Sequence, residues 1–502
     1  MYKNELLDNK TKPLTRDELE TMIYAGEDIS NANVSQITDM SNLFDGIGLN
    51  YDISKWDVSN VTNMSKMLYY CREFDQDISN WDVSNVTDMS EMFYYCEEFN
   101  QDLSNWDVSN IIDMSYMFSD CINFNQDISS WDVSSVTNMK GMFISCKEFN
   151  QDISNWDVSN VRDMEYIFLC CENFNIDISN WDVSSVTNMK SMFSNCHWFN
   201  QDISSWDVSS VTDISGMFNN CYQFNQDISK WDVSNVPHMS QMFYYCKEFN
   251  QDISIWDVSS VTDMRNMFRY CDSFNQDISI WDVSSVTDMS DMFGKCISFN
   301  QDISKWDVSS VTNMKGMFDG CHKFNQDLSS WDVSNVIKMN YMFQDCKKFN
   351  QNISNWDVSN VMNKHNMFSG CDSFSEKNIQ DQIEEFAEKY KEEQSCIIIY
   401  DIANMKKENR ITLANFVKYA LNNGKDIPIL YLNPSKYEDE INNILGQIDF
   451  IVYINKGTVE RKIAIDDDFF EKNSVLISQL AELFTDKNSK NKITDYYEED
   501  GI

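Results

Sequence analysis

Tryptophan recurs every 25 residues from Trp56 to Trp356, and thirteen of the 14 tryptophans fall on that comb. Cysteine keeps the same step from Cys71 to Cys371, and phenylalanine from Phe74 to Phe374. A period held without one insertion requires each unit to superimpose on the next, which is the mark of stacked repeats. A degraded copy over 29–44, ISNANVSQITDMSNLF, carries Ala32 in place of Trp, so Ala32 to Trp356 makes about 14 coils.

Residues 74–96 read FDQDISNWDVSNVTDMSEMFYYC. Met89, Met92, Phe93 and Cys96 sit at i, i+3, i+4 and i+7, the spacing of one helix face. Trp81 and Val83 alternate around Asp82 as a short strand would. The expected fold class is therefore α/β. It is a leucine-rich-repeat-like solenoid with one short parallel strand, centred on Trp-Asp-Val, and one short helix per 25-residue coil. The expected borders are an N-terminal helical cap at 1–28, the solenoid at 29–375, a small α/β domain at 376–486 and an acidic tail at 487–502. That tail, KITDYYEEDGI at its end, has the composition of a disordered segment.

The chain carries 80 acidic and 39 basic residues, a formal charge of −41. Residues 376–502 hold 16 basic and 25 acidic residues, so −32 of that charge belongs to 1–375. Such a balance excludes nucleic acid as a direct partner, because phosphate binding needs clustered Lys and Arg. It also disfavours an anionic membrane surface. No apolar stretch approaches 18 residues, so no membrane span is expected. The opening MYKNELLDNKTKPLTRDELE lacks the apolar core of a secretory signal, and a soluble, cytoplasmic location is the expectation.

The run WDVSNVTDMSEMFYYC followed by EFNQDIS resembles the 25- or 26-residue units of bacterial surface proteins related to the BspA-like leucine-rich-repeat family. The similarity covers 29–375, and KTKPLTRDELETMI (10–23) resembles the segments that precede such arrays. What the resemblance implies is a cell-surface, adhesion-type binding role without a common enzymatic activity. Similar arrays in algae and large DNA viruses imply a host-cell setting as the alternative.

The Trp comb and the Met and Phe stripe are expected to be core. Zinc sites need clustered ligands such as C-x2-C, and the four histidines form no motif, so no metal site, cofactor or catalytic residue is assigned. The comb cysteines read as a ladder of buried free thiols, with Cys170 the more exposed one. The Asp after each Trp, Asp57 to Asp357, should point outward. Two readings stay open for it. Either each carboxylate accepts backbone N–H bonds at a turn, or the column is a surface for a basic protein partner, with Ca²⁺ a lesser alternative. Asp182, Asp207, Asp232 and Asp257 represent that candidate surface. Ile255 and Ile280, at the same position of adjacent coils, form a small apolar contact patch beside it.

After Ser375 the pattern becomes strand CIIIYDIA (396–403), strand IPILYL (427–432), strand DFIVYI (449–454) and strand VERKIAI (459–465), separated by helical stretches except before the last. Continuous apolar strands alternating with helices suggest a small, largely parallel sheet. Asp401, Asn404, Asn433, Ser435 and Asn455 follow strand ends, where open α/β sheets bind ligands. No Gly-rich phosphate loop accompanies them, and helix capping explains them equally. The function expected is a non-enzymatic interaction or adhesion-type scaffold presenting a long acidic surface. The alternative is a signalling or enzymatic C-terminal domain targeted by the array.

Overall fold

The computed structural model describes residues 12–48, 51–353 and 355–373, and four strands beyond them. The chain divides into two compact units, Met1–Asp372 and Ser373–Ile502.

Successive 25-residue units of the first unit stack in register. One residue per coil forms a parallel bridge to the next, unbroken from Asp39–Asn63 to Lys338–Asn363. The bridging residue is Asp88 or its equivalent, not the Trp-Asp-Val segment. There the expected strand is absent. Trp81 N–H closes a turn onto Ile78 O (3.1 Å), and Val86 N–H closes another onto Val83 O (2.9 Å). The carboxylates of Asp77 and Asp82 each accept the N–H of the Ser two residues on, at 3.0 and 3.1 Å, which bends the backbone away from a strand.

The expected helix is also replaced. From Met89 to Cys96 each backbone N–H has a partner, but the partners alternate. Met89, Glu91, Phe93 and Tyr95 donate to Asp113, Ser115, Met117 and Ser119 of the next coil, at 2.8–3.1 Å. Met92, Tyr94 and Cys96 close turns onto Met89, Glu91 and Phe93, while Ser90 N–H goes to the Asp88 carboxylate. The third residues of two of these turns, Glu91 and Tyr95, have φ of 56° and 62°. A positive φ there is the type II pattern, and it forbids continuation as an α-helix. Met89, Met92, Phe93 and Cys96 still reach the core, and all are fully buried. Every coil repeats the two left-handed positions, with Gly at 46, 141, 216, 316, 320 and 370 and otherwise Asn, Asp, Ser, Tyr, Lys, Glu, Gln or Cys, never Val, Ile or Thr. β-branched side chains are the ones this backbone excludes.

The core is a set of ladders. Each comb Trp is buried, and its indole N–H donates to an Ile or Leu carbonyl of the preceding coil, as Trp206 does to Ile178 O at 3.2 Å. Each comb thiol donates to a carbonyl of the preceding coil, as Cys121 does to Phe93 O at 3.1 Å. The phenylalanines stack along the array, Phe93 on Phe118 at 5.5 Å between centroids. Direct donation satisfies these buried carbonyls, which a purely apolar side chain could not do.

The first coil lacks a predecessor to fill its outer carbonyls. Helix α1, Arg16–Ala25, begins at a Thr15–Glu18 capping box and ends at left-handed Gly26. From it the Arg16 guanidinium donates to Asp39 O (3.1 Å) and to Ser41 O, taking the place of a preceding coil's N–H groups.

In the second unit four strands form one sheet in the order β2-β1-β3-β4: β1 Gln394–Ile399, β2 Ile429–Leu432, β3 Phe450–Asn455 and β4 Thr458–Ala464. Only β1–β2 is parallel; β1–β3 and β3–β4 are antiparallel. The largely parallel sheet expected is therefore corrected to a mixed one. Two residues, Lys456 and Gly457, join β3 to β4, and so short a connection permits only an antiparallel hairpin. The helices expected here and the 487–502 tail lie outside the described residues.

Two measurements test this architecture. Ser145 holds φ at 57° with no side-chain hydrogen bond, so Ser145→Val should cost about 1–3 kcal/mol in urea unfolding, whereas Ser145→Gly should change stability little. Burial pushes the comb thiols well above their ordinary pKa, Cys71 to about 12, and leaves Cys170 half-buried. Among the described thiols a reagent should therefore reach Cys170 first in the native protein and the comb cysteines only on unfolding; labelling of ten or more in the native state would contradict the packing.

Candidate binding surface

Thirteen Asp residues follow the comb tryptophans, and all are exposed. The two readings of this column prove compatible. In Asp182, Oδ1 accepts the Ser184 N–H at 3.1 Å and its hydroxyl at 2.6 Å. Asp207 accepts Ser209 N–H at 3.0 Å, Asp232 accepts Ser234 at 3.1 Å, and Asp257 accepts Ser259 at 3.1 Å. In each case Oδ2 makes neither a hydrogen bond nor an ion pair. One oxygen thus fixes the turn while the other faces solvent without a cation.

Hydrogen bonds from Ser184, Ser209 and Ser259 hold the Asp182, Asp207 and Asp257 carboxyls below the ordinary carboxylate range. At Asp207 the neighbouring Asp182 charge pushes the other way and is the smaller influence. These three carboxyls therefore favour the ionised form. Among the described residues no three His, Cys, Asp or Glu side chains gather as a metal site. Ca²⁺, which takes six to eight oxygens, finds no ready-made cage among them.

Ile255 and Ile280 are 69% and 72% exposed. Exposed Asp252 and Asp257 flank the first, and Asp277 and Asp282 the second. The same column carries Lys, Asn or Ser in the other coils, so this apolar pair is a local property of two coils set in an acidic frame.

Of the C-terminal candidates only Asn455 belongs to a described strand. Asp401, Asn404, Asn433 and Ser435 lie outside the described residues. They follow β1 and β2, whose last residues Ile399 and Leu432 pair with each other. Asn455 pairs with Gln394, the first residue of β1. It therefore stands at the opposite edge, because β3 runs antiparallel to β1.

Sequence reasoning missed the third turn column at 63, 88, 113 and onward, which is Asp or Asn except at His238 and Lys338. Its signal was the Asx residue recurring at the 25-residue step, followed two residues on by Ser in several coils. In that column Asn63 binds Ser65 N–H at 2.9 Å and Asp88 binds Ser90 N–H at 2.9 Å, so both residue types serve. It also passed over Trp198, the tryptophan off the comb, which is 60% exposed.

Units of one length stacked through equivalent hydrogen bonds define a repeat protein. A family model described as "Mycoplasma protein of unknown function, DUF285" matches residues 17–127, 97–204, 164–281 and 263–382, and with most of its length so covered the chain belongs to that family. No curated protein and no solved structure matches the chain. Among the described residues no helix is long and apolar enough to cross a membrane.

A group whose folded pKa is lowered stabilises the native state above its unfolded pKa and loses that contribution as pH falls through the folded value. The Asp carboxyls lowered in this way, Asp182, Asp207 and Asp257 among them, should therefore contribute stability down to about pH 4 and lose it below. Melting temperatures measured from pH 7 to pH 2 should fall in that lower window, and a flat profile would contradict the role given to the Asp–Ser turns.

Proposed function

We propose that the chain is a non-enzymatic scaffold whose stacked coils form a leucine-rich-repeat-like solenoid and present a long acidic surface to a basic protein partner. The observation that carries this reading is the Asp57-to-Asp357 column, in which each carboxylate has one oxygen locked by its own turn and the other uncompensated. A rigid row of like charges attracts a basic partner from a distance and makes association fast and salt-sensitive. The exposed Ile255–Ile280 pair supplies an apolar contact within that frame. Resemblance to BspA-like surface proteins supports an adhesion-type role.

The test is the joint substitution of Asp182, Asp207, Asp232 and Asp257 by Asn. Because Asn63 closes the same kind of Asx turn in another column, the variant should melt close to the parent. Its binding of a Lys/Arg-rich peptide should weaken and lose part of its dependence on salt. A clear fall in melting temperature with undiminished peptide binding would overturn the proposal.

A further inference from the structure

Trp198 departs from every rule that governs the other tryptophans. It stands off the comb, at a position where other coils carry Glu98, Asn123, Glu148, Asn173 and Gln223. It is 60% exposed, while the comb tryptophans are 3–7% exposed. Its removal from the core leaves no packing reason for so large a side chain.

Rings on this side of the array come with partners. His197 stacks on Tyr222 at 4.7 Å, and Tyr245 stacks on Tyr270 at 4.0 Å. Lys247 sits over Tyr222 at 5.6 Å and Arg269 over Tyr270 at 5.4 Å. Further along, Lys66 and Arg72 cover Tyr69 and Tyr95 in the same way. Among the described residues Trp198 has neither a stacked ring nor a cation over it, although indole is the ring that binds cations best. It stands in an array of net charge −32, where an incoming cation is favoured over an anion or another carboxylate.

We propose that Trp198 is the anchor at which a basic polypeptide partner docks, with an Arg or Lys side chain laid over the indole and the His197–Tyr222 stack as the adjoining wall. Tryptophan is enriched among the few residues that dominate protein interfaces. This deepens the scaffold reading and rests on it, since it assigns a contact point to the basic partner that the acidic column attracts.

The experiment uses the full chain, an Arg-rich decapeptide and the same peptide with citrulline in place of Arg. Among the described tryptophans only Trp198 is open to acrylamide, so the quenchable part of the fluorescence reports on it. The Arg peptide should protect that component, and the citrulline peptide should not. Trp198→Gln, which introduces the residue found at the equivalent Gln223, should leave the melting temperature unchanged and weaken binding about fivefold, the size of one cation–π contact at a partly exposed site. Trp198→Phe should recover part of the loss. If the peptide binds, is weakened by the four Asp-to-Asn changes, yet leaves Trp198 quenchable and is indifferent to Trp198→Gln, the anchor is overturned while the acidic scaffold stands. If the peptide does not bind the parent chain at all, both fall.

Discussion

From Met89 to Cys96 the backbone donates alternately to its own coil and to the next one. The array depends on that alternation. Turns closed within the coil keep the segment compact enough to return after 25 residues. Bonds to the next coil hold the stack together. An α-helix would direct its N–H and C=O groups along its own axis and leave neighbouring coils joined by side chains alone. The cost is two left-handed residues per coil, and the side chains found there are those that tolerate it.

Side chains complete what the backbone leaves open. Indole N–H groups and thiols reach carbonyls of the preceding coil, and Asx residues close turns onto the Ser that follow them. Burial raises the thiol pKa, which keeps each comb cysteine protonated and able to donate. The same turn chemistry that shapes the coil also arranges its charge. Because Oδ1 of each Asp is committed to its own Ser, the carboxylates project at regular intervals, and an acidic face arises from residues whose first duty is structural.

Much of the candidate surface was legible in the residues. The outward direction of Asp182, Asp207, Asp232 and Asp257 followed from their place between the inward Trp and Val, and the exposure of Ile255 and Ile280 followed from a column otherwise polar. The mixed order of the C-terminal sheet was legible too, since Lys456-Gly457 is a hairpin connection, but apolar runs of similar composition drew attention to parallel pairing instead. In the antiparallel pairing Asn455 lies opposite Gln394, the first residue of β1.

By itself the sequence determined the period, the inward columns and the excess of negative charge, because identical spacing forces identical packing and a spacing of i, i+3, i+4 and i+7 states which side chains share a face. It did not determine the route by which the backbone brings them there. Helix and consecutive turns place Met89, Met92, Phe93 and Cys96 on one side equally well. The tertiary structure decided between them, because a neighbouring coil offers carbonyls to Met89, Glu91, Phe93 and Tyr95 that no isolated segment possesses.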